Sequence, residues 1–229
     1  IPKFVPMIGS AVGMIRSATV LVIGTGVAGL RAIATAKGLG AIVYAADIRP
    51  DAVEQAQSLG AKIIDLKIPV EYALSKDGKY AQALPENWLE IEREALKEIV
   101  KKADIIFCSA LVPGKLAPIL ITEEMVKSMV PGSCIVDISI DQGGNCALTV
   151  AGKRTESYGV IIEGIKNIPG MLPTSSTWMF ANNIYNLLMY LVKDGQIHLD
   201  LNDEITASIL VTKDGELVHA GAKEAMGLL

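Results

Sequence analysis

The stretch that most constrains this chain is Thr19-Val20-Leu21-Val22-Ile23-Gly24-Thr25-Gly26-Val27-Ala28-Gly29-Leu30. An apolar run breaks into Gly-x-Gly-x-x-Gly and then turns helical. Thr19 to Ile23 is uncharged and rich in β-branched residues, the pattern of a strand buried on both faces. Each glycine has its own physical task. Gly24 permits a tight turn. Gly26 lets the backbone approach a pyrophosphate, because a Cβ there would collide with it. Gly29 lets the following helix lie close to the strand. The helix N-terminus then offers backbone N–H groups and the positive end of its dipole to phosphates. The glycines alone are a weak signal, so the surrounding pattern has to carry the reading.

That pattern is in order. Val27 to Lys37 suits a helix, with Gly38 and Gly40 as stop signals. Ala41 to Ala46 is a second apolar run, and Asp47 follows it about twenty residues beyond the glycines, where a doubly wound α/β fold needs an acceptor for ribose hydroxyls. A helix cap or a strand-end aspartate is the plainer alternative. Strand, glycines, helix, strand and acid together indicate a dinucleotide site. Asp47 favours NAD over NADP, since a carboxylate repels a 2′-phosphate. Arg49 either accepts such a phosphate or pairs with Asp47.

Further along, residues 51–60 read as a second helix after Pro50, and 62–66 as a third strand. The pattern then lapses from Lys67 to Asn87, a stretch of about twenty residues containing Tyr80. A loop of that length inside a compact domain is usually functional or mobile. Two readings stand for it: a loop anchored by one tyrosine, or a lid over the cofactor. Asn87 to Lys102 has helical spacing of Trp88, Ile91, Ala95 and Ile99, with Lys102 ending the stripe. Strands are expected at 104–109, 133–138 and 158–163, with a helix from a Thr122 cap to Met129. Two strand-end segments, Ala110-Leu111-Val112-Pro113-Gly114-Lys115 and Asp141-Gln142-Gly143-Gly144-Asn145, fall at the carboxyl edge of the sheet, where ligands bind in such folds.

After the turn Asn167-Ile168-Pro169-Gly170, a long apolar helix is expected to reach about Lys193, capped by Thr174, Ser175 or Ser176. Its Trp178, Met179, Ile184, Leu187, Leu188, Leu191 stripe suits core or a dimer interface. Strands at 205–212 and 216–219 flank Lys213-Asp214-Gly215, a hairpin signal. The expected fold class is α/β, a Rossmann-type doubly wound parallel sheet, with a C-terminal tail belonging to an incomplete second subdomain. The expected divisions are a connector at 1–16, a nucleotide-binding domain at 17–194 and the tail at 195–229. The chain begins at Ile1 shortly before the first strand, which points to a fragment or to an N-terminal part outside this sequence.

Composition narrows the function. Among 229 residues, 51% are hydrophobic and the mean hydropathy is +0.40, high values that doubly buried strands account for in large part, with a surface for a missing partner as the source of the rest. No uncharged apolar run reaches the roughly eighteen residues of a membrane span, and no signal peptide is visible. The net charge of −4 argues against nucleic acid as a partner. Cys108, Cys134 and Cys146 are an odd number and lack metal-ligand spacing; Cys108 and Cys134, at strand-like positions, read as buried thiols, and a reducing compartment is implied. His198 and His219 stand without a nucleophile or metal pattern. No catalytic residue and no metal ligand is assigned.

On these motifs the chain resembles domain I, the soluble NAD(H)-binding component, of proton-translocating nicotinamide nucleotide transhydrogenase. The residues that carry the resemblance are Phe4-Val5-Pro6-Met7, the glycine turn with Ala32-Ile33-Ala34-Thr35-Ala36-Lys37, Asp47-Ile48-Arg49, Ala110 to Pro118, Gly143-Gly144-Asn145-Cys146, Asn167 to Gly170, Asp203-Glu204 and Thr212-Lys213-Asp214-Gly215. It covers nearly the whole chain and implies NAD as cofactor. Beside Gly24, Gly26, Gly29 and Asp47, it implies nucleotide contacts at Val27, Ala28, Ile48, Arg49, Ala110, Leu111 and Asn145. It also implies a mobile lid whose tyrosine, Tyr80, touches the nucleotide. There the family's Gly-Gly-Tyr-Ala-Lys reads Gly78-Lys79-Tyr80-Ala81-Gln82. A family glutamine that touches nucleotide aligns with Glu92. The family's Arg/Gln/Asp loop, which holds the nicotinamide end, belongs to an N-terminal subdomain absent from this sequence.

The resemblance implies direct hydride transfer from NADH to NADP⁺ on a partner domain, coupled to proton movement through a membrane domain. It further implies a homodimer, peripheral on the cytoplasmic face of the inner membrane, or the matrix side in a eukaryote. No oxygen or nitrogen of a substrate gains or loses a proton in that transfer, so positioning is the protein's main task. The related alanine dehydrogenases are the second reading, since Ile140-Asp141-Gln142-Gly143-Gly144 resembles theirs, with Asp141 as a candidate acid–base group. A non-catalytic NAD(H)-binding module is the third.

Overall fold

The apolar runs do become strands, and their ends converge. The computed structural model describes residues 1–74, 81–112 and 115–228. It divides into two units, Ile1–Lys166 and Asn167–Leu229. The first opens with a hairpin, β1 (Ile8–Ser10) and β2 (Gly13–Ile15), inside the segment expected to be a connector. Then follow β3 (Thr19–Ile23), α1 (Val27–Gly38), β4 (Ile42–Ala46), α2 (Pro50–Ser58), β5 (Lys62–Ile63), α3 (Val70–Ala73), α4 (Glu86–Val100), β6 (Ile105–Cys108), α5 (Glu123–Lys127), β7 (Cys134–Asp137), a 3-10 turn (Ile138–Gln142), β8 (Arg154–Ser157) and β9 (Val160–Glu163).

Among the described residues the sheet has seven strands in the order β5-β4-β3-β6-β7-β9-β8. All neighbours are parallel except β8, which pairs antiparallel with β9 at the edge. This is the expected doubly wound sheet with one added strand. Arg154-Thr155-Glu156-Ser157 escapes a search for apolar runs because an edge strand tolerates charge. Chain order reverses between β3 and β6, which makes the crevice above them the topological switch point.

Alternation along β3 builds a core on each side. Leu21 and Ile23 join Leu96, Val100, Ile106, Ile121, Ile135 and Ile162 on one face. Val20 and Val22 join Ile33, Val43, Ala45 and Ala56 on the other. Side chains of this size, fully buried, contribute about 1.5–3 kcal/mol each by removal from water.

The register sets the site. Ile23 lies opposite Ala46 and Cys108, and Cys108 opposite Asp137. The next residues, Gly24, Asp47, Ser109 and Ile138, therefore emerge side by side at the carboxyl edge. The α4 stripe is rotated from expectation. Its buried residues are Glu92, Leu96, Ile99 and Val100, with Leu89 packed beside them, while Ile91 is 37% exposed.

The second unit contains α6 (Ile168–Met171), α7 (Pro173–Leu191), β10 (Val192–Lys193), β11 (Gln196–Ile197), α8 (Glu204–Ile209), β12 (Thr212–Lys213), β13 (Glu216–Leu217) and α9 (Ala220–Ala225). The division before Asn167 groups α7 with the tail, whereas the sequence pattern places it after 194. No side chain caps α7, which starts at Pro173 after Leu172. Thr174, Ser175 and Ser176 thus lie within its first turn. β10–β11 and β12–β13 are both two-residue hairpins, turning at Asp194-Gly195 and Asp214-Gly215 with positive φ at all four residues, as primed turns require. Residues 204–209, expected as strand, are helical because Asp203 caps them: its Oδ2 accepts from the Thr206 N–H and the Thr206 hydroxyl, both at 2.8 Å. Among the described residues no helix is long and apolar enough to cross a membrane.

Candidate functional site

Two of the three glycines show their expected tasks in space. Gly24 has φ +83°, and a Cβ there would lie 2.6 Å from the Ala110 nitrogen. A Cβ on Gly29 would lie 2.0 Å from the Gly24 carbonyl oxygen, so only glycine lets α1 approach the turn this closely. Gly26 differs: its missing Cβ faces space, with the Arg49 guanidinium 4.0 Å away as its nearest neighbour. Gly26 is also the N-cap residue of α1, and no side chain caps that end. The N–H groups of the first helical turn are left for another acceptor. Ser109 ties the turn to the neighbouring strand end, its hydroxyl donating to the Gly24 carbonyl at 2.8 Å and its N–H to the Ile23 carbonyl at 2.8 Å.

Above these strand ends lies a cavity of about 610 Å³, a size typical of small-molecule clefts. Its wall takes in Gly24, Gly26, Val27, Ala28, Asp47, Ile48, Arg49, Glu92, Ala110 and Leu111, all expected at the site. Gly29 does not line it and acts through helix packing. Gly78, Lys79 and Tyr80 lie outside the described residues.

Asp47 has little unmet capacity. Its Oδ2 accepts from the Thr25 N–H at 2.7 Å, the Thr25 hydroxyl at 3.1 Å and Arg49 Nη2 at 2.9 Å. Its Oδ1 accepts from the Arg49 N–H at 2.8 Å and Arg49 Nε at 3.1 Å. Four N–H donors fill the roughly four lone-pair sites of the carboxylate, while the single proton of the Thr25 hydroxyl is shared with the Ala52 carbonyl at 3.0 Å. Arg49 therefore pairs with Asp47 and is not poised for a phosphate of its own. Asp47 in turn raises the guanidinium's proton affinity. The Asp47 side chain is 5% exposed against 27% for Arg49, so a ligand hydroxyl reaches Asp47 by displacing an arginine bond.

Asn145, expected against the nucleotide, lies behind the cavity wall. It is completely buried and absent from the cavity wall. Its Oδ1 accepts from the Ala110 N–H at 3.0 Å and the Ser139 hydroxyl at 2.7 Å, and its Nδ2 donates to the Ala110 and Pro118 carbonyls, each at 2.9 Å. It is a clamp that sets the loop after β6. Asp137 supports it, with Oδ2 accepting from the Asn145 and Cys146 N–H groups and the Thr149 hydroxyl. Asp141 is not on the wall either and pairs with Lys166 at 3.5 Å.

Several wall residues escape the sequence motifs: Leu89, Gln142 and the apolar pair Leu116 and Leu120. Gln142 falls in a strand-end segment, so position relative to the strands is the signal available for it. Thr25 sits inside the glycine motif, and its part is to hold Asp47. Glu92 is buried on α4 and lines the same cavity. Its burial and the charge of Asp47 push its carboxyl up to about 7, with Arg93 opposing.

Burial pushes the Cys108, Cys134 and Cys146 thiols up, away from reactive thiolate. His219 is structural: its Nδ1 accepts from the Ala222 N–H at 3.0 Å and its Nε2 lies 3.1 Å from the Ser208 carbonyl. Among the described residues no group of His, Cys, Asp and Glu could hold a metal ion.

Residues 1–220 match the family model described as "Alanine dehydrogenase/PNT, C-terminal domain". An NAD(P) transhydrogenase subunit alpha polypeptide of Rhodospirillum rubrum is 44% identical over 217 residues, covering 93% of this chain and 56% of that protein. The NAD(P) transhydrogenase subunit alpha of Haemophilus influenzae is 46% identical over 211 residues, covering 90% and 41%. Alanine dehydrogenase of Bacillus subtilis is 30% identical over 213 residues, covering 91% and 50%. The crystal structure of transhydrogenase from Sinorhizobium meliloti superposes with a TM-score of 0.76 at 37% identity, over 95% of this chain and 57% of that one. The chain thus spans about half the length of the relatives it matches. It belongs to the alanine dehydrogenase/PNT C-terminal-domain family, and among these relatives it is most like the transhydrogenase alpha subunits.

Proposed function

We propose that this chain is the NAD(H)-binding part of a transhydrogenase, presenting NADH for direct hydride transfer to NADP⁺ on a partner domain, in an assembly that couples the transfer to proton translocation. The observation that carries the reading is the arrangement above β3 and β4: an uncapped α1 N-terminus beside Gly26, with open space at its missing Cβ, next to Asp47 at the following strand end. These features fit a dinucleotide. The first N–H groups of α1 would take the pyrophosphate. Asp47 would take ribose hydroxyls in place of an Arg49 bond. Ala110, Leu111 and Val27 would supply apolar contact.

The charge balance at this end supports NAD over NADP. Arg49 is neutralised by Asp47. A 2′-phosphate would meet no unpaired cation among the described wall residues.

Bound nicotinamide supplies the hydride. The described wall residues of this chain would hold the pyrophosphate and ribose end, with apolar contact from Val27, Ala110 and Leu111. The ionisable side chains among the described wall residues are Asp47, Arg49 and Glu92. That set supports a positioning role, because hydride passage between two nicotinamide rings needs no general acid. In the proposed assembly the chain is peripheral to a membrane domain, on its cytoplasmic or matrix side, and forms a homodimer. The exposed apolar side chains of α7, Trp178 at 69% among them, support a covered face in that dimer.

The test is addition of NADP⁺-loaded partner domain to NADH-loaded protein, followed by loss of NADH absorbance. Transfer supports the proposal. Binding without transfer favours a non-catalytic module, and turnover of alanine with NAD⁺ favours the alanine dehydrogenase reading.

A further inference from the structure

Glu92 stands apart from the other charged wall residues. Asp47 and Arg49 satisfy each other. Glu92 is only 5% exposed, lines the cavity, and among the described residues its carboxyl makes no hydrogen bond or ion pair. Its oxygens are not sealed in the core as unsatisfied atoms; they open to the cavity, where water or a ligand meets them.

The charged groups around Glu92 set its preference. From the end of β4 it faces Asp47 and Arg49, with Asp51 beyond them acting on Arg49. From its own helix it faces Arg93, whose guanidinium is engaged by Glu86 and by the Ile119 carbonyl. α5 packs on α4 and carries Glu123, Glu124 and Lys127, of which Glu123 and Lys127 pair with each other. Segment 81–84, the loop after β6 and the turn after β7 contribute no ionisable side chain to the described wall. No cation in this set is free to neutralise a second carboxylate beside Asp47.

Resting on the NAD(H) reading above, we propose that Glu92 is a proton-linked binding residue: its neutral acid form meets the dinucleotide, its ionised form opposes it, and each dinucleotide bound by the ionised protein draws one proton from solvent. In the neutral form the carboxyl can donate a hydrogen bond to a ligand acceptor as well as accept one. When the dinucleotide displaces water from the cavity, it deepens the desolvation of Glu92 and adds the pyrophosphate's negative charge. Both effects favour the protonated carboxyl further. By linkage, whatever raises the proton affinity of Glu92 on binding is weakened as pH rises above the carboxyl's own titration, near 7 in the free protein. A glutamine at this position would hold the neutral hydrogen-bonding pattern at every pH.

The experiment is calorimetric titration of NADH into the protein between pH 6 and 8.5. At pH 8 it is repeated in buffers of different ionisation enthalpy, which counts the protons exchanged. The expected result is an affinity about tenfold lower at pH 8.5 than at pH 7, with net uptake approaching one proton at pH 8. Glu92→Gln is expected to flatten the affinity profile and abolish the uptake. Equal pH slopes in the native protein and Glu92→Gln would overturn the proposal. So would zero proton uptake by the native protein, a measurement that stands even if the variant does not fold. No NADH binding at any pH would instead remove the NAD(H) reading itself.

Discussion

Two glycines of one turn, Gly29 and Gly26, separate a structural role from a ligand role. In Gly29→Ala the new Cβ would lie 2.0 Å from the Gly24 carbonyl oxygen, about 1.4 Å inside the 3.4 Å at which ordinary contact begins. The obstacle is backbone at a turn held by Ser109, so α1 itself must move off β3. Overpacking on that scale costs about 2–4 kcal/mol. In Gly26→Ala the Cβ meets nothing closer than the Arg49 guanidinium at 4.0 Å, and the residue's φ of −71° and ψ of −166° suit alanine. The expected stability change is about 0.5 kcal/mol, the cost of alanine at an N-cap. The methyl does, however, enter the space proposed for the pyrophosphate, and NADH affinity is expected to fall at least tenfold. Urea unfolding is best followed by Trp88 fluorescence in a Trp178→Phe background, which leaves one tryptophan, paired with NADH titration of each folded variant. If Gly26→Ala binds NADH like the native protein, the pyrophosphate does not pass that glycine. If Gly29→Ala is as stable as the native protein, the close approach of α1 is not what the glycine serves.

Two further outcomes follow from the same geometry. Because the Glu92 proton is held up to about 7 in the fold against 4.5 ordinarily, its contribution to stability is fully present below pH 4.5 and is lost as pH rises to 7. The loss amounts to ~3 kcal/mol. Glu92→Gln should therefore match the native protein near pH 4.5 and exceed it by about that amount at pH 8 in urea unfolding. Parallel profiles for the two proteins would contradict this. Asn145→Ala strands buried partners at Ala110, Pro118 and Ser139 and should cost about 3 kcal/mol. Amide exchange at Ala110, measured by mass spectrometry, should quicken, and unchanged protection would deny the clamp.

The parallel strands are legible because burial on both faces leaves uninterrupted apolar runs, and β3 falls on Thr19–Ile23 as the sequence indicates. The elements that escape obey other forces. β8 is charged because it is an edge. The 204–209 helix is short, and its apolar alternation imitates a strand, but Asp203 decides it by capping. The Lys193-Asp194-Gly195 hairpin carries the same signal as Lys213-Asp214-Gly215, yet it abuts the apolar pattern of α7, which hides it. At the site, Asp47 is legible from its distance to the glycines. Its saturation by Thr25 and Arg49 is not, because side-chain pairing across a turn has no periodicity. Asn145 is drawn to the site by its neighbours in sequence, while its carboxamide points into the loop it supports. The α4 stripe reads a few residues off because the apolar pattern skips Glu92, the position at which the cavity interrupts the core.

The preference for NAD(H) rests on Asp47 and Arg49 forming a closed pair that leaves a 2′-phosphate without a cation. The most direct measurement is the affinity of the native protein for NADH beside NADPH, by calorimetry at one pH and ionic strength. The expected result is NADH binding at least about a hundredfold tighter, roughly 2.7 kcal/mol. Equal affinity for the two, or preference for NADPH, would mean that Arg49 leaves Asp47 for the phosphate, and would contradict the assignment of this cavity to NAD(H).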